Sequence, residues 1–344
     1  LHTVYQTNLF VSYIDKIKPN FQKGAKYGMF HSTFDAFETF LFVPNRVTTK
    51  GSHIRDSIDM KRTMTVVIVA LLPALFFGMW NVGYQHALSI GESWPFWQTF
   101  FFGFLRVLPL LVVSYGVGLS VEFAFAQARG HEVNEGFLVS GLLIPLILPV
   151  DVPLWMVAIA TAFAVIVGKE VFGGTGMNIF NPALLARAFL FFAYPSHMSG
   201  DKVWIDGLAK GQQVVDGFSG ATPLANAAAY QLDKISSAYD MFMGFIPGSI
   251  GETSKLAILI GAILLIITGI GSWKIIISVF GGGLVAGLLF NTLAINPYMS
   301  IPPWQHFLMG GFAFGAVFMA TDPVSASQTE RGKWIYGFLV GFMA

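Results

Sequence analysis

The 344-residue sequence contains no cysteine. Disulfides, iron–sulfur ligation and thiolate metal sites supplied by this chain alone are therefore excluded. Charge is scarce as well. Asp, Glu, Lys and Arg together make up 11% of the residues, against roughly 25% in a soluble domain. The formal net charge is +1, and no basic cluster is interleaved with aromatics, so nothing points to nucleic acid. The seven histidines lack ligand spacing, and no metal site is expected. What the sequence has in excess is apolar: 54% of its residues are hydrophobic, and the mean hydropathy is +0.64. In lipid every backbone polar group must be satisfied internally. The composition therefore reads as an all-α polytopic membrane protein, with 34 Phe and 8 Trp as lipid-facing and interfacial residues.

Residues 1–62 read as a cytosolic or interfacial extension, ending in Arg55, Lys61 and Arg62. Apolar segments follow that are long enough, or nearly so, for about 30 Å of hydrocarbon. They are 63–82, 107–125, 137–150, 154–168, 179–194, 256–273, 275–295, 307–320 and 334–344. These are nine spans. The segments 137–150 and 154–168 are short, so tilted or broken helices are expected there. The division is a first transmembrane half at 63–195, a polar loop at 196–254 and a second half at 255–344. The chain opens at Leu1 and closes at Ala344 inside an apolar run. It is expected to be a piece lacking its initiator and its last spans. No secretory signal peptide is read in the first 60 residues.

Basic residues orient the set. Arg55, Lys61 and Arg62 place the N-terminus inside. Arg129, Lys169, Arg187, Lys274, Arg331 and Lys333 mark later inner connections. Loop 196–254 then falls outside, despite Lys202, Lys210 and Lys234. An inverted repeat of five helices each is a candidate. Gly173–Pro182 precedes the fifth span and Ala320-Thr-Asp-Pro-Val-Ser325 the ninth, and both put Asn-Pro or Asp-Pro at an inner helix start. Interrupted segments paired in this way mark inverted-repeat transport folds.

The polar loop holds Asp216-Gly-Phe-Ser219-Gly220-Ala221-Thr222-Pro223. Small residues leave the Thr222 hydroxyl accessible on a flexible stretch. The same residues also suit a plain turn, with Thr222 as N-cap and Pro223 at the first helical position. In Gly173–Pro182, the glycines permit positive φ, and Asn178 and Asn181 offer amides to a planar heterocycle. The alternative there is a helix break capped by Asn181. The Gly173-Gly-Thr-Gly run is not a dinucleotide fingerprint, because the spacing is wrong and no strand precedes it. Glu122, near the inner end of the second span, is an intramembrane carboxylate and so a functional candidate; its alternative is an interfacial pair with Arg129. Glu170 beside Lys169 reads as a surface pair. Gly116 and Gly118 suit either a flat ligand surface or close helix packing. His131, Glu132 and Glu135 lack a third ligand and read as a docking surface.

Taken in order, five stretches resemble the NqrB membrane subunit of the sodium-translocating NADH:quinone oxidoreductases. They are His131–Gly136, Gly168–Ala183, Asp216–Thr222, Pro247–Ser254 and Ala320–Ala326. The likeness runs from about residue 25 to the end, and it implies ten spans, one more than the nine apolar segments. The related RnfD membrane subunit of the Rnf complex shares the Asp216–Thr222 motif, but usually lacks an extension like 1–62. The resemblance implies covalent FMN on Thr222 through a phosphodiester, with Asp216, Ser219, Gly220 and Ala221 read by a flavin transferase. It implies a non-covalent riboflavin near the inner side, with Asn178, Asn181, Thr321 and Asp322 as candidate contacts. It ties the region of Gly116 and Gly118 to quinone. Leu119 stands where a second glycine is expected, a departure that bears on inhibitor sensitivity.

The expected function follows from that resemblance. The chain is expected to be a membrane subunit of a respiratory complex in a bacterial inner membrane. Electrons pass from NADH, oxidised by another flavoprotein subunit, through FMN and riboflavin to quinone, coupled to Na⁺ translocation. Glu122 is the candidate on the Na⁺ pathway. The alternatives are an Rnf-type subunit exchanging electrons with ferredoxin and a flavin-free inverted-repeat channel or transporter.

Overall fold

The computed structural model describes residues 16–21, 28, 34, 51–52, 60–129, 136–212 and 214–344. Most of the 1–62 extension, and the docking residues His131, Glu132 and Glu135, lie outside the described residues. Every regular element among the described residues is helical.

The helices α1 (Met60–Ser89) and α2 (Phe96–Arg129) contain 30 and 34 residues. At a rise of 1.5 Å per residue they are about 45 and 51 Å long, longer than the spans expected at 63–82 and 107–125. Glycine lets them pack closely. A Cβ on Gly83 would overlap the Thr99 carbonyl, and one on Gly103 the Met79 carbonyl. With no strong hydrophobic drive between helices in lipid, such small-residue contacts supply the packing.

The next helix, α3 (Phe137–Leu146), has only 10 residues and is about 15 Å long. The expectation of a span at 137–150 is therefore corrected: α3 cannot cross a bilayer. Pro145 is in its last turn. Loop backbone meets its open end, where Gly251 N donates to Leu146 O at 2.7 Å and Ile250 N to Leu148 O at 3.3 Å. Irregular backbone at membrane depth survives when protein satisfies it in this way.

Helix α4 (Leu154–Gly168) has the expected bounds and runs on through a 3₁₀ turn, Glu170–Phe172. Helix α5 (Pro182–Ala193) starts three residues later than the segment 179–194, with Asn181 as N-cap. The loop opens on a single helical turn, Pro195–Met198, and contains the short helices α6 (Pro223–Ala228) and α7 (Ala238–Met243) with a 3₁₀ turn, Leu232–Lys234, between them. Helices α8 (Lys255–Ile267) and α9 (Trp273–Leu293) follow. The segment expected at 307–320 is broken: a turn of α-helix, Phe312–Phe314, passes into a π-helix, Gly315–Met319. The last helix, α10 (Glu330–Met343), lies along α9. There Gly282 of α9 faces the Phe338 carbonyl, while Gly337 and Gly341 of α10 face the carbonyls of Ile275 and Val279.

Nine comparable spans are thus not what forms. Among the described residues four helices are long and apolar enough to cross a membrane: Arg62–Ser89, Phe96–Arg129, Leu154–Phe172 and Trp273–Leu293. The largest core joins α1 to α5 with α8 and residues 313–319. Pro323 also departs from expectation, since no helix starts there. Asp322 instead closes a turn, accepting from Val324 N at 3.2 Å and Ser325 Oγ at 2.8 Å, while α10 begins at Glu330 with Thr329 as cap.

Candidate functional site

One end of the bundle contains a cavity of about 60 Å³. Its wall includes Gly136 and Ser140 of the α3 region, Lys169, Thr175, Asn178 and Asn181 before α5, and Thr321 and Asp322 after the π-helix. All four proposed riboflavin contacts therefore gather in one place. Asn181 Nδ2 lies 3.5 Å from Asp322 Oδ2, which joins the two interrupted segments directly.

Most of these polar groups are already engaged. Asn181 Oδ1 accepts from Ala183 N at 2.9 Å and Leu184 N at 3.3 Å, the bonds of an N-cap. Thr321 Oγ1 donates to Val317 O at 2.6 Å, and Asn178 Nδ2 to Phe180 O at 3.0 Å. The exception is Thr175. Its Oγ1 is buried without a partner, and the residue lines the cavity. An unpaired buried hydroxyl costs about 1–3 kcal/mol, so it marks a place for a polar occupant. The loop owes its shape to Gly173, Gly174 and Gly176, at φ +118°, +97° and +92°.

Lys169 of the cavity wall belongs to a group of four charges. Lys169 donates to Glu122, and Arg129 pairs with Glu170 at 3.3 Å. Arg129 also donates to the Glu170 carbonyl at 2.8 Å. Both glutamates are buried. Two expectations are corrected here. Arg129 pairs with Glu170 and not with Glu122, and Glu170 is not at the surface. A carboxylate taken out of water needs a cation in contact, and the fold supplies one to each.

Gly116 and Gly118 do not make one surface. A Cβ on Gly116 would meet nothing within 4 Å, whereas one on Gly118 would overlap the Phe137 ring. Gly116 is exposed and Gly118 buried. Gly118 makes room for an aromatic ring of α3, which is the packing reading of that residue.

The motif Asp216–Thr222 lies toward the other end of α2. Loop residue Asp206 contacts Arg106, and Arg106 and Arg129 are separated by roughly 35 Å of helix. Asp216 and Ser219 are exposed, and Thr222 is half-buried. Thr222 Oγ1 accepts from Ala225 N at 3.1 Å, capping α6, with Pro223 at the first helical position. A Cβ on Gly220 would overlap the Asp201 carbonyl and crowd Ile205 and Leu208. Gly217, at φ +82°, turns the chain before it.

Two polar groupings went unnoticed in the sequence. Glu252 pairs with Arg187 at 2.5 Å. Lys255 Nζ donates to the carbonyls of Glu252, Thr253 and Gly310 at 2.7, 3.4 and 2.9 Å. Both tie the loop before α8 to other parts of the bundle. The only prior signal was a pair of charges at an apolar boundary.

A family model described as the NQR2, RnfD, RnfE family matches residues 47–344. A protein of Chromohalobacter salexigens, named as the B component of a Na(+)-translocating NADH-quinone reductase, is 46% identical over 96% of this chain and 85% of its own length. Proteins of the same name from Ectopseudomonas mendocina and Pseudomonas aeruginosa PAO1 are 46% and 45% identical over 96% of this chain, and 88% and 87% of their own lengths. Likeness this extensive covers the cavity, the charge pairs and the Thr222 loop together, and the chain belongs to the NQR2, RnfD, RnfE family.

Proposed function

We propose that this chain is the flavin-bearing membrane subunit of a sodium-translocating NADH–quinone reductase in a bacterial inner membrane. The observation that carries the reading is the 46% identity, over 96% of the chain, to a relative named as a component of such a reductase. That name also favours the quinone reductase over an Rnf-type role, which the family description equally covers. NADH oxidation is assigned to a partner flavoprotein.

Thr222 is the proposed carrier of FMN, on a loop assigned to the outer side. When a transferase moves FMN from FAD, the phosphoanhydride P–O bond breaks and AMP leaves, the Thr222 hydroxyl gives up its proton, and the new Oγ–P bond leaves the oxygen its lone pairs. The hydrogen bond from Ala225 N is therefore compatible with the ester. The exposed Asp216 and Ser219 suit recognition by the transferase.

Riboflavin is proposed at the cavity, where it would supply an electron carrier between FMN and quinone. Thr175 and Asn178 are the residues best placed to hold its polar edge, while Asn181, Thr321 and Asp322 hold the walls. At about 60 Å³ the cavity is far smaller than the roughly 300 Å³ or more of a ligand pocket. Entry of a three-ring system therefore requires movement of the glycine-rich loop 173–180. Gly116, with open space beside it, is kept as a quinone contact, and Gly118 supports it from behind. Glu122 is kept on the Na⁺ pathway, where a sodium ion would compete with the Lys169 ammonium for its carboxylate.

The test is ultraviolet fluorescence of the denatured band, for wild type and Thr222→Ala, from a host that makes the flavin transferase. A bright wild-type band and a dark variant are expected. A dark wild-type band would remove covalent flavin and favour a flavin-free transporter.

A further inference from the structure

The Thr222 motif does not sit free on its loop. A Cβ on Gly220 would run into Asp201, Ile205 and Leu208, so the motif rests on the segment 201–208. Val215 N donates to Ser89 O at 3.0 Å, which pins the approach to the motif onto the end of α1. The supporting segment has its own inner face, where Val203, Ile205 and Asp206 are buried.

Asp206 of this support, and Lys210 just beyond it, each pair with the membrane bundle. Asp206 Oδ2 lies 3.0 Å from Arg106 Nε of α2 and 4.0 Å from His86 Nδ1 of α1. His86 Nδ1 also lies 3.1 Å from the Asp206 carbonyl. Its ring stacks on Phe102 at 4.3 Å, and the Arg106 guanidinium sits 5.2 Å from the same ring. Farther along, Lys210 Nζ lies 2.5 Å from Asp151 Oδ1, in the turn between α3 and α4. The Asp151 side chain is 1% exposed, and its Oδ2 has no partner. Among the described residues, Lys210 is therefore the one cation in contact with this buried carboxylate.

We infer that Asp206 and Lys210 are positioning residues that clamp the support of Thr222 to α1, α2 and the α3–α4 turn, and so fix the distance and orientation of the group on Thr222 relative to the membrane helices. The inference rests on the reading of Thr222 as a flavin carrier. The physical reason is rigidity. A short ion pair to a buried carboxylate at each end of the segment removes two hinges that Gly207 and Gly211, at φ +83° and +84°, would otherwise leave. Electron transfer depends on held geometry, in the sense that loosely positioned reacting groups lose rate.

The chain has no cysteine, so spin labels can be addressed to it through Ser93→Cys and Ala229→Cys, both exposed positions, in the full complex with reactive partner thiols blocked beforehand. Distances between the two labels would be read in wild type, Asp206→Asn, Lys210→Gln and the swapped pair Asp151→Lys with Lys210→Asp. Flavin reoxidation would be timed and gel fluorescence recorded on each variant without labels. The expected result is a narrow distance distribution in wild type. It broadens in both single variants, and reoxidation slows at least tenfold with covalent fluorescence unchanged. The swapped pair recovers the narrow distribution. A distribution as narrow in Lys210→Gln as in wild type overturns the inference; because that variant strands the buried Asp151 carboxylate, the neutral pair Asp151→Asn with Lys210→Gln carries the same test, and an unbroadened distribution there overturns the inference as well. A dark band in every sample including wild type would sink the flavin reading instead, while the label distances would still decide the clamp.

Discussion

Lys169 and Glu122 form an ion pair whose side chains are 5% and 4% exposed, linking the end of α4 to α2 beside the cavity. Neither residue can be judged alone. Removing one partner strands a buried charge and costs about 3–5 kcal/mol, whereas replacing both by apolar groups is often neutral. Glu122→Gln and Lys169→Met are each expected to lower the thermal midpoint of the purified complex. The double variant Glu122→Leu with Lys169→Met is expected to recover most of the loss. Costs that simply add would mean the two side chains do not depend on each other.

Thr222 has two separable duties: its oxygen caps α6, and under the proposal it carries the flavin. Thr222→Ser keeps both and should stay fluorescent. Thr222→Asn keeps the cap, since Asn is a strong N-cap residue, but offers no hydroxyl. It should go dark with the loop intact. Thr222→Ala loses both and should cost about 1 kcal/mol more than Asn at the helix start. Limited proteolysis of loop 196–254 reads the cap, and gel fluorescence reads the flavin. Fluorescence surviving in Thr222→Asn would place the attachment elsewhere.

The sequence conveyed what depends on neighbours in the chain. Helix α4 ran between its expected residues, and the Asn181-Pro182 start of α5 followed from local capping chemistry. The motif around Thr222 was legible for the same reason. Pairings across the fold were not. Lys169 and Glu122 are far apart in the sequence, and the nearer Arg129 was the natural but incorrect partner. The short α3 and the π-helix at Gly315–Met319 were hidden, because an apolar run reads alike whether it crosses the bilayer or stops within it. One miss was avoidable: residues two apart on a helix do not share a face, so Gly116 and Gly118 could not form one surface.

Thr175 offers a test in which structure and ligand binding move in opposite directions. Its hydroxyl is buried and unpaired, so Thr175→Val removes a polar atom that costs about 1–3 kcal/mol to bury, at almost constant volume. If the hydroxyl serves only the fold, the variant should be as stable or more so, with the same content of non-covalent flavin. If it holds the polar edge of riboflavin, the variant should gain stability when stripped of that flavin, yet retain severalfold less of it after acid extraction. Thr175→Ser should restore retention. Equal riboflavin in wild type and Thr175→Val, with covalent gel fluorescence unchanged in both, would remove the cavity from the proposed electron path. The search for that site would then move to surfaces shared with partner subunits.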